Sequence, residues 1–147
     1  MTRLLSAHLH FLSRLWLSVI AGLVAGSPAP AQNTPADRAE LIEAIYPVMI
    51  AALEAKQFGR ARNICDQVIL WEPQNPVHHY NLACIEAQAG GTRLAYALGA
   101  LDLAAALGFN DHEHLRTDPD LNSLHGEAKF AEIARRVACL LYTSRCV

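Results

Sequence analysis

Apolar side chains recur at helical spacing along most of the chain after residue 35. This periodicity predicts four helices, over residues 41–53, 58–71, 77–89 and 94–107. Pro73 and Pro76 separate the second helix from the third, and Gly90-Gly91 separates the third from the fourth. Pro47 is discordant within the first helix because proline lacks a backbone donor. We expect that helix to kink at Pro47 or to begin near it.

The four predicted helices form two similar units. Ile45, Val48, Met49 and Ala52 recur as His79, Leu82, Ala83 and Glu86, a period of about 34 residues that indicates a repeated helix pair. The second helix of the unit recurs two residues later than this period predicts, and Gly90-Gly91 provides a turn that accommodates the extra residues. We therefore predict helix pairs over residues 36–73 and 76–109. Ala97 and Ala104 permit close approach of the helices.

A third segment, residues 110–138, is predicted to cap the second pair. The last unit of a helical repeat array exposes its apolar face unless another segment covers it. The apolar residues available for this role are Leu115, Leu121, Leu124, Phe130 and Ile133. Asp118 before Pro119 predicts a helix N-cap with proline at the first helical position, and Gly108 predicts a helix stop.

The second pair and the cap contain a series of short motifs. Residues 80–84 read Tyr-Asn-Leu-Ala-Cys, and Ala97-Leu98, Gly108-Phe109 and the segment Leu115-Arg-Thr-Asp-Pro-Asp-Leu121 follow. This series resembles the closing repeat of bacterial tetratricopeptide (TPR) proteins, which reads NLAC, AL, GF, LxxDPDLxxLR and a PRF-like ending. His125 departs from the family's Arg, and Ala-Lys-Phe at residues 128–130 departs from its Pro-Arg-Phe. The resemblance covers residues 36–137 and implies an all-α fold, with antiparallel helix pairs of a short TPR-like α-solenoid and a C-terminal capping segment.

The resemblance also implies a function, which is a protein–protein interaction module without catalysis or cofactor. In TPR proteins the first helix of each pair lines a concave groove that holds a partner protein or peptide. By register, this face comprises Glu43, Tyr46, Ile50, Glu54, Val77, Tyr80, Asn81 and Gln88. Tyr46 and Tyr80 have an alternative interpretation, in which they pack between helices. Clustered Lys and Arg, with which chaperone-binding TPR domains hold a peptide carboxylate, do not occur on this face, so that mode is not predicted.

The first 31 residues have the pattern of a secretory signal peptide. Basic residues precede an apolar run over residues 15–26, and Ala29 and Ala31 suit cleavage before Gln32. The alternative is a permanent N-terminal anchor, but a helix that spans the membrane needs about 20 apolar residues, more than this run provides. We therefore expect cleavage near Ala31 and export to a bacterial periplasm or beyond it, without a stable membrane anchor.

The other end of the chain matches no helical pattern or cap. Residues 139–144 read Cys-Leu-Leu-Tyr-Thr-Ser, the translation of a transposon end used in sequencing libraries, and Arg-Cys-Val follows from the reverse complement. We interpret residues 139–147 as a non-native tail derived from this adaptor, an interpretation that finding the same codons in genomic DNA would contradict. On this interpretation the alternative function is the N-terminal TPR domain of a longer exported enzyme, for example a hydrolase, that is truncated in this sequence.

The charge of the chain between its two ends narrows the class of partner. Between the two ends, nine Lys and Arg stand against 14 Asp and Glu. This acidic balance argues against nucleic acid or an anionic membrane surface as the main partner.

Cys65 and Cys84 fall at inward-facing helical positions, where we expect buried thiols, although export would permit a disulfide.

Candidate metal and catalytic motifs give no strong signal. His112 and His114 are two residues apart, so on a helix they point in different directions and are poorly placed to share a zinc ion. Asp118 and Asp120 mimic the start of a calcium loop, but Lys129 stands where that loop needs a bidentate acid. Nucleophile motifs, phosphate-binding loops and CxxC pairs are absent from the sequence. We predict no metal and no catalytic residue, with a metal-handling role as the weakest alternative.

Overall fold

The ends of the helices follow from prolines, glycines and capping side chains. Asn75 accepts a hydrogen bond from the backbone N–H of Val77 at 3.1 Å, and Pro76 occupies the first helical position behind it. Gly90 has φ of 68° and Gly108 has φ of 100°, both in the left-handed region that favours glycine, and each lies directly beyond a helix or its last turn. The predicted helix stops at these glycines are confirmed.

The computed structural model describes residues 34–143, with side chains to Cys139. Its α-helices are α1 Pro35–Glu54, α2 Phe58–Trp71, α3 Pro76–Ala89, α4 Leu94–Ala106, α5 His112–Thr117 and α6 Ala128–Thr143, with 3₁₀ turns at Gly91–Arg93 and Pro119–Leu124. Residues 34–143 contain no strand, so the predicted all-α fold is confirmed for this part of the chain. The predicted signal peptide, residues 1–31, lies outside the described residues.

One alternative for the start of the first helix and one expectation for the end of the last helix are wrong. α1 begins at Pro35 and continues past Pro47, which is exposed, so the helix does not begin near Pro47. The second difference is at the C-terminal end, where the backbone stays helical to Thr143 although the sequence pattern indicated no helix from residue 139. The adaptor origin of residues 139–147 stays a prediction.

The core consists of two clusters that share α3. Met49 and Ala52 of α1 pack with Ala61 and Cys65 of α2 and with Ile85 of α3. The larger cluster joins the other side of α3 to α4 and the cap, and its fully buried members include Ala83, Ala97, Leu101, Ala104, Leu121, Leu124, Ile133 and Val137. The alanines let the helix backbones approach closely, as predicted.

The C-terminal segment covers the apolar face of the second helix pair. The five residues predicted for this role are all buried: Leu115, Leu121, Leu124, Phe130 and Ile133. The 3₁₀ turn Pro119–Leu124 packs on α3, and α6 packs on α4. Cys65 and Cys84 are buried thiols that form no disulfide, which confirms their predicted inward positions. Within the described part of the chain, no helix combines the length and the apolar character that crossing a membrane requires.

Candidate functional site

A pocket of about 310 Å³ lies between α1, α3 and the start of the 3₁₀ turn Pro119–Leu124. Its lining comprises Tyr46, Met49, Ile50, Leu53, Tyr80, Asn81, Cys84, Ile85, His114, Asp118 and Asp120. We call it the α1–α3 pocket. It brings together four of the eight residues predicted for the concave face, namely Tyr46, Ile50, Tyr80 and Asn81. The other four, Glu43, Glu54, Val77 and Gln88, do not line it.

The apolar wall of the pocket comes from α1. Met49 is buried in the core, whereas Ile50, the next residue, is 50% exposed. Leu53 lies one turn further along the same helix and is partly buried. This side of the pocket therefore offers a partner apolar surface that no described residue covers.

Tyr46 is held at the pocket wall by a hydrogen-bond network. Its hydroxyl lies 2.7 Å from His78 Nδ1, and Asn81 Nδ2 donates to the hydroxyl oxygen at 3.1 Å. His78 Nε2 lies 2.8 Å from Glu72 Oε2, which also accepts from Asn75. The ionised Glu72 carboxylate can only accept hydrogen bonds. In its neutral form His78 therefore carries its proton on Nε2, and its Nδ1 accepts a hydrogen bond from the Tyr46 hydroxyl. The ring of Tyr46 is consequently fixed in orientation.

The same network affects the acidity of two of its members. Hydrogen bonds from Asn75 and His78 hold the pKa of the Glu72 carboxyl below its ordinary value. Burial raises the pKa of the Tyr46 hydroxyl. Glu72 therefore acts as the anionic acceptor, and Tyr46 stays a protonated phenol.

Tyr80 forms the floor of the pocket rather than an exposed contact. Its ring stacks on Phe109 with centroids 4.4 Å apart and planes 8° apart, and its hydroxyl donates to Asp118 Oδ2 at 2.6 Å. Only 3% of Tyr80 is exposed. Burial, together with the hydrogen bond to Asp118, raises the pKa of its hydroxyl. Tyr80 therefore packs within the core. Its predicted role as a direct contact with a partner is corrected: it supports the pocket from its floor.

The two aspartates of the cap differ in how their carboxylates are used. Asp118 is 8% exposed, and its Oδ1 accepts from the backbone N–H of Asp120 at 2.9 Å, which confirms the predicted N-cap. Its Oδ2 accepts from Tyr80 and from the Cys84 thiol. The partly buried Asp120 carboxylate receives no hydrogen bond from any residue of the described range. Burial and the charge of Asp118 raise the pKa of Asp120.

Cys84, Asp118 and Asp120 place one potential metal-ligand atom each within 4.8 Å of one another. This grouping differs from the histidine pair considered in the sequence, because neither His112 nor His114 belongs to it; His114 Nε2 lies 3.5 Å from Asp118 Oδ2. Burial and the charge of Asp118 raise the pKa of the Cys84 thiol, and a protonated thiol is a poor ligand. With both Asp118 oxygens already accepting, the arrangement is a hydrogen-bonded cluster.

A second charged cluster lies on another face of α3, around Glu86. This carboxylate is buried and is paired with both Arg93, through two nitrogens, and Arg62. Arg93 also stacks on Tyr96, with its guanidinium carbon 4.4 Å from the ring centroid. These groups line an open pocket of about 620 Å³. Sequence reasoning missed the cluster, although an acid at a buried repeat position, where the first unit has Ala52, was a signal for it.

No protein-family model, curated protein or solved structure matches the chain. Membership of the TPR family therefore stays a prediction that rests on the motifs of residues 80–137.

Proposed function

We propose that this chain is an exported, TPR-type interaction module that binds a segment of another protein in the α1–α3 pocket and does not itself catalyse a reaction. The observation that carries the proposal is the half-exposed Ile50 at the wall of a pocket between the first helices of the two pairs. Apolar side chains that line a concavity and are rimmed by polar groups are typical of binding sites. Export is supported by the sequence of residues 1–31.

The polar groups of the pocket favour a peptide as the ligand. The Tyr46 hydroxyl donates to His78 when that imidazole is neutral, so its oxygen offers a partner an acceptor. Asn81 donates one amide hydrogen to Tyr46, and its side-chain carbonyl oxygen is a further hydrogen-bond acceptor. Rigidly oriented tyrosine and amide groups beside apolar surface suit the backbone and side chains of an extended segment.

Selection from a random peptide library displayed on phage tests the proposal, with the full 147-residue chain as bait. We expect enriched peptides whose binding weakens about tenfold or more in the Ile50→Gln variant, because a polar amide would be buried at an apolar contact. Leu70→Gln is the matched control, since Leu70 is 70% exposed on α2 and does not line the pocket. Its binding should equal that of the wild type.

Both substitutions are at exposed positions, so both variants should fold, which circular dichroism and thermal unfolding check. A selection that yields no peptide with Ile50-dependent binding would overturn the proposed function.

A further inference from the structure

The described lining of the α1–α3 pocket contains two carboxylates and no lysine or arginine. Asp118 and Asp120 line it, and none of its lining residues is Lys or Arg, although residues 34–139 contain nine of these cations. The basic residues beside other acids form ion pairs there: Arg62 and Arg93 with Glu86, and Lys129 and Arg136 with Asp102. Described lysine and arginine side chains therefore leave the pocket's two carboxylates unpaired, and the one basic group in its lining is the imidazole of His114, 3.5 Å from Asp118.

Asp120 is the carboxylate available to a ligand. Asp118 already accepts from Tyr80, Cys84 and the backbone N–H of Asp120, whereas no described residue donates to the Asp120 side chain. Asp120 is also partly removed from water and lies close to Asp118, which raises its pKa. A cation beside it would offset both unfavourable effects.

The remaining walls suit the aliphatic part of a long cationic side chain. Ile50 and Leu53 supply apolar surface, and Tyr46 supplies an aromatic ring on the same side. Lysine and arginine pack their methylene stems on such surface while the charged group reaches a polar partner, and the guanidinium of arginine stacks well on aromatic rings. The volume of about 310 Å³ is at the small end of the range for ligand pockets, which fits one side chain better than a whole cofactor.

We propose that the α1–α3 pocket accepts a lysine or arginine side chain of the bound segment, with the cation against the Asp120 carboxylate and the stem against Ile50 and Leu53. This inference rests on the proposed peptide-binding function and names the chemistry of the partner. The bound segment carries an apolar residue next to the cation, because half of Ile50 is exposed.

The test uses a peptide obtained from the library selection, synthesised in two forms. One form has the selected Lys or Arg, and the other has norleucine in place of Lys or citrulline in place of Arg, which nearly keep the shape and remove the charge. Affinities are measured by calorimetry with EDTA present, so that no metal ion bridges the peptide and the carboxylates. Because a hydrogen bond to a charged group contributes about 1.5–3 kcal/mol, we expect the uncharged peptide to bind roughly 10- to 100-fold more weakly.

The role of the Asp120 carboxylate in this interaction is tested with the Asp120→Asn variant. This variant should bind the cationic peptide about tenfold or more weakly, yet bind the uncharged peptide as the wild type does. Glu127→Gln removes the same charge at an exposed position outside the pocket and controls for long-range electrostatics. Asp120→Lys paired with a peptide that has Glu at the cationic position should regain affinity relative to either change alone.

The outcomes separate this inference from the function on which it rests. Equal affinity of the charged and uncharged peptides, or an Asp120→Asn variant that binds like Glu127→Gln, would overturn the cation pocket while Ile50-dependent binding still upholds the interaction module. A selection without any Ile50-dependent peptide would overturn both.

Discussion

The hydroxyl of Tyr80 donates a 2.6 Å hydrogen bond to Asp118 across 38 residues of sequence. It connects α3, at the centre of the fold, to the turn that begins the cap. Asp118 uses its other oxygen to cap that turn, so a single buried carboxylate fixes both the start of the 3₁₀ segment and its position on α3. This arrangement also places Asp120 at the edge of the α1–α3 pocket.

Removal of the Tyr80–Asp118 hydrogen bond should destabilise the fold without creating a large cavity. Tyr80→Phe keeps the stacking on Phe109 but leaves Asp118 Oδ2 without its strongest donor. We expect a loss of about 1.5–3 kcal/mol in the free energy of unfolding, as for other hydrogen bonds to charged groups. Urea unfolding followed by circular dichroism measures it.

Tyr96→Phe is the control for that substitution. Tyr96 is exposed on α4, where its ring contacts Arg93, and its hydroxyl has no hydrogen-bond partner among the described residues. This variant should differ from the wild type by less than about 0.5 kcal/mol. Equal stability of the two variants would mean that the Tyr80–Asp118 bond does not fasten the cap.

The close packing of α4 predicts a second effect on stability. Ala97 is completely buried in the larger core cluster, so the added volume of Ala97→Leu must displace neighbouring helices. We expect a cost of roughly 1–3 kcal/mol. Ala95→Leu, two residues away on the exposed side of α4, should unfold at the wild-type temperature. Unchanged thermal unfolding of Ala97→Leu would contradict the register of this repeat.

Much of the helical framework was predictable from local sequence. α2 has the predicted bounds of 58–71, because Pro73 ends the helical pattern, and α3 and α4 end within a residue of their predicted limits at Gly90 and Gly108. These are local effects of backbone conformation, which neighbouring residues determine.

The composition of the pocket was not predictable in the same way. Tyr46 and Ile50 were placed by helical register, but Asp120 and His114 join them only because the cap folds back onto α3. Register alone also assigned Tyr80 to the partner-binding face, whereas stacking on Phe109 and the bond to Asp118 bury it. Contacts between distant segments decide these positions, and a periodic pattern carries no information about them.

The three cysteines with described side chains should differ in reactivity. Burial raises the pKa of the Cys65 thiol to about 12, and burial also raises that of Cys84, while Cys139 is exposed. Because the thiolate is the nucleophile, iodoacetamide at pH 8 should modify Cys139 within the native protein and leave Cys65 and Cys84 unmodified. Peptide mapping by mass spectrometry reads out each site, and unfolding in urea should make all three react. Rapid native labelling of Cys65 would contradict its burial between α2 and α3.

Asp120 should lower the stability of the free protein at neutral pH. Its folded pKa is raised by burial and by Asp118, so its contribution to stability is greatest below the unfolded pKa of about 3.9 and is lost as pH rises through the folded value. Asp120→Asn removes the charge, so it should raise the unfolding temperature at pH 7, with an advantage that disappears as pH falls below the unfolded pKa. Thermal unfolding between pH 3 and pH 8 checks this, with Glu127→Gln, at an exposed position outside the pocket, measured alongside it. A variant that is more stable and yet binds the cationic peptide more weakly would show the trade-off between stability and function that is expected of a binding carboxylate.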